Sequence, residues 1–383
     1  FKISCEEFMK LFKSLLVAPA TLGLLAPMAA TANEVTINDF NPAEELAITN
    51  SRVDGLEARL NNFEAGSFSE TTTAAFTVEG MLGYEDTEDG TADDAVVSAY
   101  SLQIDLNTSF TGEDSLDISL DAGNAGVDGV DEFDGNQTSA SDVELLVVDG
   151  VAYTFPIGDN TTAFVGFDSD GSALFTTACV YGGPGDMLSD CGNVNAGITG
   201  GETAIGASYD FGNGLTAAFG AQTDAGSNLG VFTEEAAADS FALNAAYTAD
   251  NYGLSLTYAS VENAASDENA FTALNAYYTP EGSLPSISVG YEIGDIGAAA
   301  ANVDEQASFM VGLTWDEVGP GSAGLALGHS DTNENGDELY QYEAYYEYPV
   351  NDQMTITPLI YTLDAAGNVD DTTGMMVKTT FTF

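Results

Sequence analysis

From residue 73 to residue 383, apolar and polar residues alternate with a period of two in one run after another. Phe76, Val78, Leu82 and Tyr84 share one parity, with Thr77 and Glu79 on the other. Tyr100, Leu102, Ile104 and Leu106 alternate with Ser101, Gln103, Asp105 and Asn107, and Leu116, Ile118 and Leu120 alternate with Asp117, Ser119 and Asp121. The pattern returns at Phe241, Leu243, Ala245 and Tyr247, at Phe309, Val311, Leu313 and Trp315, and at Tyr340, Tyr342, Ala344, Tyr346 and Tyr348. Successive side chains of a strand point to opposite faces, so each run predicts a ribbon with one greasy face and one wet face. Strands are expected near 73–84, 95–107, 115–123, 143–155, 161–168, 203–211, 215–223, 239–248, 252–260, 269–278, 286–292, 306–315, 322–330, 338–348, 353–362 and 373–383. Most are about ten residues long, enough to cross a bilayer at a tilt.

The connections alternate in length. Short turns are expected at 108–114, 156–160, Gly212-Asn213-Gly214, Ala249-Asp250-Asn251, 279–285, 316–321 and 349–352. Longer segments rich in Asp, Asn, Gly and Ala, such as 85–94, 124–142 and 331–337, fall between them. A soluble β-sandwich has no reason to gather its long loops at one end, whereas an outer-membrane barrel has short periplasmic turns and long external loops. No repeated blade motif supports a propeller. The fold class is therefore all-β, a transmembrane antiparallel β-barrel of about 16 strands.

Upstream the period changes. Val53, Leu56, Leu60 and Phe63 recur at helical spacing among Arg52, Asp54, Glu57 and Arg59, which predicts a short coiled-coil helix before the barrel. So short a coil is marginal alone, and either packing within its own domain or parallel association of protomers would hold it. Lys10 and Lys13 precede an apolar run from Leu15 to Ala30 that ends in Ala30-Thr31-Ala32, the form of a secretory signal and its cleavage site. Residues 1–8 lie before Met9, the natural start of such a signal. The expected division is 1–32 for this extension and signal peptide, 33–68 for a polar segment and the coil, and 69–383 for the barrel.

Charge sharpens the picture. The chain carries 61 acidic residues against six basic ones, a formal charge of -55. That balance excludes binding to nucleic acid, whose phosphates need Lys and Arg. Hydrophobic residues make up 44%, too many for a disordered acidic tail. The bases are Lys2, Lys10, Lys13, Arg52, Arg59 and Lys378, so only the last belongs to the barrel. With the signal removed, two cysteines remain, Cys179 and Cys191, in a protein leaving the reducing cytoplasm, and a disulfide between them is expected. Two cysteines and one distant histidine supply no ordinary structural metal site, and no cofactor is expected.

Four stretches resemble the carbohydrate-selective (OprB-type) porins and their cyanobacterial relatives. They are the strand-turn-strand motif from Ser109 to Asn124, the hairpin from Tyr342 to Pro358 with its Asn351-Asp352 turn, the terminal Phe381-Thr382-Phe383, and the coil from Arg52 to Phe68. The resemblance implies an outer-membrane protein in contact with lipid, a homotrimer of sixteen-stranded pores, and an assembly signal at Phe381 and Phe383. Relatives commonly carry an S-layer-homology domain, for which residues 33–49 are too few. The family tends to place basic residues where this chain has Glu113, Asp117 and Ser119, so the implied pore wall is reversed in sign.

With the greasy parity facing lipid, the lumen is expected to present Glu79, Gln103, Asp105, Asp117, Asp121, Gln341, Glu343 and Glu347. Charged rings inside a channel select the counter-ion, which predicts a cation-preferring diffusion channel for small hydrophilic solutes and ions; the alternative is a surface barrel that is structural or adhesive and does not conduct. By resemblance, the long segment from Ser169 to Glu202 folds inward as the constriction, bringing Asp168, Asp170, Asp186 and Asp190 to the narrowest point. A Cys179–Cys191 bond would pin it, contributing about 3 kcal/mol on loop-entropy grounds. Clusters such as Glu85, Asp86, Glu88 and Asp89 could hold Ca²⁺ or Mg²⁺ diffusely at the rim, without the spacing of a dedicated site. No enzyme is expected: His329 and Ser330 are neighbours in a strand and point to opposite faces.

Overall fold

The computed structural model describes residues 72–87, 96–124, 145–185, 188–224, 238–262, 268–297, 305–333, 339–364 and 371–383. All of them belong to one compact unit, Phe63–Phe383. The expected signal segment, the expected coil and Asp186 lie outside the described residues.

Sixteen strands run in chain order: β1 (Thr72–Thr87), β2 (Val97–Thr108), β3 (Ser115–Gly123), β4 (Val147–Pro156), β5 (Thr161–Phe167), β6 (Gly201–Gly212), β7 (Leu215–Asp224) and β8 (Asp239–Thr248), then β9 (Tyr252–Glu262), β10 (Glu268–Tyr278), β11 (Ser286–Asp295), β12 (Glu305–Val318), β13 (Gly321–Asn333), β14 (Tyr340–Asn351), β15 (Met354–Leu363) and β16 (Thr372–Thr382). Each pairs antiparallel with its neighbours in sequence, and β1 also pairs with β16, so the sheet closes. The architecture is the expected one, with boundaries displaced by a few residues; β4, for example, begins at Val147 rather than 143.

The register follows from the alternation. Val78 lies beside Leu102 on one flank and Phe381 on the other, while Glu79 lies beside Ser101 and Thr380. A slip by one residue would turn every apolar side chain of a strand inward. The outward row is apolar and exposed, as at Leu82, Leu243, Leu256, Val289 and Ile360. Aromatic residues crowd both ends of this row. Tyr209, Phe211, Tyr247 and Tyr252 sit toward the short turns, and Tyr100, Phe167, Phe241 and Tyr342 toward the long connections. Two such girdles flank the apolar band of membrane barrels, where an amphipathic ring matches the lipid–water boundary.

The turns at the short end are locally encoded. Gly212, Asn213 and Gly214 all adopt positive φ (74°, 58° and 82°), which glycine and asparagine tolerate best. In the turn after β2, the Asp114 carboxylate accepts bonds from Ser109 Oγ (2.9 Å), the Phe110 and Thr111 N–H groups (2.9 and 2.8 Å), Thr111 Oγ1 (2.7 Å) and the Tyr153 hydroxyl (2.7 Å). The Tyr153 hydroxyl, and next the Thr111 N–H, hold this carboxyl well below the usual carboxylate range. Closure is fastened at the same end. Phe76 N–H donates to the Phe383 carbonyl (2.8 Å), Phe383 N–H donates back (3.0 Å), and the two rings stack at 5.5 Å.

Phe383→Ala removes a stacked ring pair worth about 1 kcal/mol. The heat at which the folded barrel loses its compact migration on a gel is expected to fall; an unchanged transition would mean that the ring contact contributes nothing to closure.

Candidate functional site

The inward face is not uniform, and its sectors differ in side-chain size. In β8 to β13 the inward positions are mostly small and neutral: Ala242, Asn244 and Ala246, then Ser255, Thr257 and Ala259, Ala273 and Asn275, Ser286, Ser288 and Gly290, and Gly324, Ala326 and Gly328. Against this low wall lies the long connection between β5 and β6, residues 168–200. Its backbone docks strand by strand. Gly171 N–H donates to Gln222 Oε1 on β7 (2.7 Å), and Gln222 Nε2 donates to the Thr199 carbonyl (2.8 Å). Thr176 N–H donates to Asn244 Oδ1 on β8 (3.1 Å), and Ala178 N–H to Ser255 Oγ on β9 (2.9 Å). The Val180 and Tyr181 N–H groups share Ser288 Oγ on β11 (2.9 and 3.0 Å). The Tyr345 hydroxyl on β14 then donates to the Gly182 carbonyl (3.0 Å).

On its return the segment meets Glu292 of β11, which is 1% exposed. This carboxylate accepts the Asn195 N–H (3.0 Å), Asn195 Nδ2 (2.8 Å) and the Ala196 N–H (2.7 Å). A buried carboxylate is tolerable only when so surrounded by donors. Cys179 and Cys191 form the expected disulfide, with Cα atoms 6.4 Å apart, and Asn275 Nδ2 donates to the Cys191 carbonyl (2.8 Å). Gly290 is needed here, because a Cβ at that position would collide with the Cys191 carbonyl.

The eight expected lumen residues all occupy inward positions, but their surroundings differ. Glu79 is not free: Lys378, the single base among the described residues, reaches it at 3.0 Å, and Thr380 Oγ1 donates to it (3.1 Å). Glu343 corrects the expectation of a water-bordering carboxylate. It is buried beneath the inward segment and accepts the Tyr181 hydroxyl. Gln341 is buried beside it, whereas Glu347 is exposed. Asp105 accepts from Ser119 Oγ (2.8 Å), Asp117 accepts from Ser115 Oγ (2.7 Å) and Asn107 Nδ2, and Gln103 lies opposite Asp121, which is buried.

The inward face is also not wet throughout. Met81, Leu359, Tyr361 and Met376 from the wall form an apolar cluster with Tyr181, Leu188 and Cys191 of the inward segment. Their inward parity, read as polar from neighbouring acids, gave no sign of this. Asp149 of β4 is a further inward acid that alternation missed. A register shift pairs Ser119 with Gly150 but Leu120 with Val148, so the strand changes parity at Asp149. Of the expected constriction acids, Asp168 and Asp170 stand at the base of the segment, and Asp190 is exposed near its tip. Asp170 accepts the Gly200 N–H (2.7 Å), closing that base. Burial pushes the Asp168 carboxyl up, with the Glu202 charge adding to it; burial likewise raises Asp170 against the pull of the Gly200 N–H. His329 packs edge-on against Phe309 at 4.5 Å and Tyr340 at 5.9 Å on the outward side.

No established protein-family pattern matches the chain. It is 27% identical over 445 aligned residues to the uncharacterized protein alr4550 of Nostoc sp. (strain PCC 7120), covering 96% of this chain and 75% of that one. Among solved structures, OprB of Pseudomonas putida superposes with a TM-score of 0.58 at 13% identity, over 82% of this chain and 94% of that one. An OmpT of Vibrio cholerae lacking loop L8 gives 0.56 at 12% identity, over 82% and 100%. The anion-selective porin of Comamonas acidovorans gives 0.56 at 16% identity, over 82% and 99%. The fold is that of the outer-membrane porins. Within this porin fold, the inward segment between β5 and β6 and the acidic wall of β2 to β4 are the features from which a site can be built.

Two outcomes follow from this geometry. Gly290→Ala should lift the inward segment off its wall and raise single-channel conductance, whereas Gly80→Ala, where a Cβ meets nothing within 4 Å, should not; equal conductance in the two variants would detach the segment from control of the bore. Because the folded carboxyls of Asp168 and Asp170 hold protons above the ordinary carboxylate range, they favour the folded state most at low pH, and that contribution is lost as pH rises through their folded values. Acidification from neutrality toward about pH 4 should therefore neutralise these two ahead of a carboxyl at its ordinary value, and the early part of any fall in cation preference should be smaller in an Asp168→Asn/Asp170→Asn variant; an unchanged pH profile would contradict this.

Proposed function

We propose that the protein is an outer-membrane diffusion channel for small hydrophilic solutes and ions, its long connections facing outward, with a preference for cations. The observation that carries this reading is the charge of the inner wall. Asp105, Asp117, Asp149 and Glu347 face inward, and the only Lys or Arg among the described residues is already tied to Glu79. Fixed carboxylates without matching bases must be balanced by mobile cations, which lowers the barrier for cations and raises it for anions. The porin fold itself does not set this sign, since a porin of similar fold is described as anion-selective. Phosphate-bearing solutes would be disfavoured, and neutral sugars would pass according to size.

In this reading the segment 168–200 narrows the bore, the protomers assemble as trimers through the coil at Val53, Leu56, Leu60 and Phe63, and rim carboxylates attract Ca²⁺ or Mg²⁺ diffusely. A second reading, a structural barrel without useful conduction, draws on the apolar cluster of Met81, Tyr361 and Met376, which fills part of the interior.

Reversal potential across a KCl gradient in planar bilayers separates these readings. Cation preference, weakening at high salt as screening shortens, is the expected result. Anion preference would overturn the selectivity, and a barrel that inserts without carrying current would favour the structural reading.

A further inference from the structure

The outgoing and return arms of the inward segment enclose a space of their own. A cavity of about 370 Å³ is bounded by Phe175, Thr177 and Tyr181 on the outgoing arm and by Ser189, Asp190 and Asn193 on the return arm. Every described residue around it belongs to the segment, and the disulfide from Cys179 to Cys191 forms part of its lining. Two consecutive left-handed residues, Cys191 (φ 55°) and Gly192 (φ 69°), turn the backbone just before Asn193. Asn193 is 7% exposed, and its side-chain Oδ1 has no hydrogen-bond partner. A buried amide oxygen in that state is costly until a donor reaches it.

The rest of the lining says what kind of donor fits. Asp190 adds an exposed carboxylate, and no Lys or Arg among the described residues bounds the cavity. An anion would meet a carboxylate and an unsatisfied acceptor, both of which repel it. A metal ion would find one carboxylate, and no group of three candidate ligands among the described residues could hold one. A primary ammonium suits both acceptors, because it presents several N–H donors and its bonds are charge-assisted, roughly twice as strong as neutral ones. The carbon chain of such a solute can lie against the Phe175 ring and the disulfide. A solute of about four heavy atoms needs roughly 120 Å³ at a water's volume per atom, so the cavity holds it with water to spare.

We propose that the cavity within the inward segment is a subsite for small organic solutes bearing a primary ammonium group, with Asn193 Oδ1 and the Asp190 carboxylate as its acceptors. The inference rests on the channel reading above and deepens it by naming a class of solute that pauses at the narrowing. Positive charge alone does not satisfy the site. A quaternary ammonium has no N–H to give Asn193, and K⁺ has none either.

Bilayer recordings of the full chain at fixed KCl, with propylammonium chloride added, test this. Propylammonium is expected to block the K⁺ current at millimolar levels, and tetramethylammonium, of equal charge but without N–H, to need about tenfold more, the worth of one hydrogen bond to a charged group. Asn193→Ala should raise the half-blocking concentration of propylammonium by about the same factor. Asp250→Asn, in the short turn between β8 and β9, should leave it unchanged. Equal block by the two ions, equal block by neutral glycerol, or unaltered block in Asn193→Ala overturns the proposal while leaving the channel reading in place. Should Asn193→Ala fail to fold, the comparison of the two ions on the wild type decides. Should the wild type carry no current, the channel reading fails, and equilibrium dialysis of the detergent-solubilised protein against radiolabelled propylammonium decides on the cavity: displacement of the label by unlabelled propylammonium but not by tetramethylammonium supports it, and equal displacement or no uptake overturns it.

Discussion

In hydrocarbon there is no water to satisfy a backbone N–H or C=O, so a sheet that crosses a bilayer must pair both of its edges. The bond between β1 and β16 meets that requirement, and the remaining architecture depends on it. Once the ring is closed, each strand has an outward face against lipid and an inward face against whatever the interior contains. The period-two alternation of the chain is the record of that division. The reciprocal bonds of Phe76 and Phe383 place Phe383 at the seam.

A closed ring of this circumference encloses more space than wall side chains can fill, and the inward segment takes up part of it. The segment is a stretch of irregular backbone, and irregular backbone carries polar groups that need partners. The wall of β7–β14 supplies them through Gln222, Asn244, Ser255, Asn275, Ser288 and Glu292, on strands otherwise kept low by Ala and Gly. The two halves of the interior thus have different tasks. One half is a bed of mostly small side chains for a folded segment anchored on Glu292, and the other, from β2 to β4, is acidic. In the proposed reading, mobile cations offset that surface, since the chain has almost no bases to do so.

The sixteen strands and their short and long connections were legible because lipid enforces strict alternation, as in the run from Tyr100 to Asn107. The disulfide was legible from cysteine count and compartment. Other features depended on contacts that no local pattern records. Glu292 has the parity of an acid on a wet face, yet it anchors the inward segment. Glu343 reads the same way in sequence and is buried under Tyr181. Asp149 was hidden by a β-bulge that breaks the parity by which its neighbours were sorted. Met81, Tyr361 and Met376 carry the inward parity and nevertheless form an apolar cluster, because the segment covers that part of the wall. One signal was present in the sequence and could have been used: most inward positions of β8 to β13 are small and neutral, unlike those of β2, β3 and β14, as a wall that must accommodate packed backbone requires.

A water-filled barrel narrowed by a segment seated on half of its inner wall should conduct more once that segment is gone. Single-channel conductance of the full chain, compared with a variant in which residues 172–198 are replaced by a short Gly-Ser linker, measures this. Current is expected from both, larger by about severalfold in the shortened protein, in keeping with the open channels of sixteen-stranded barrels. Equal conductance would contradict the placement of the narrowing, and a correctly inserted shortened barrel that carries no current would contradict the channel itself.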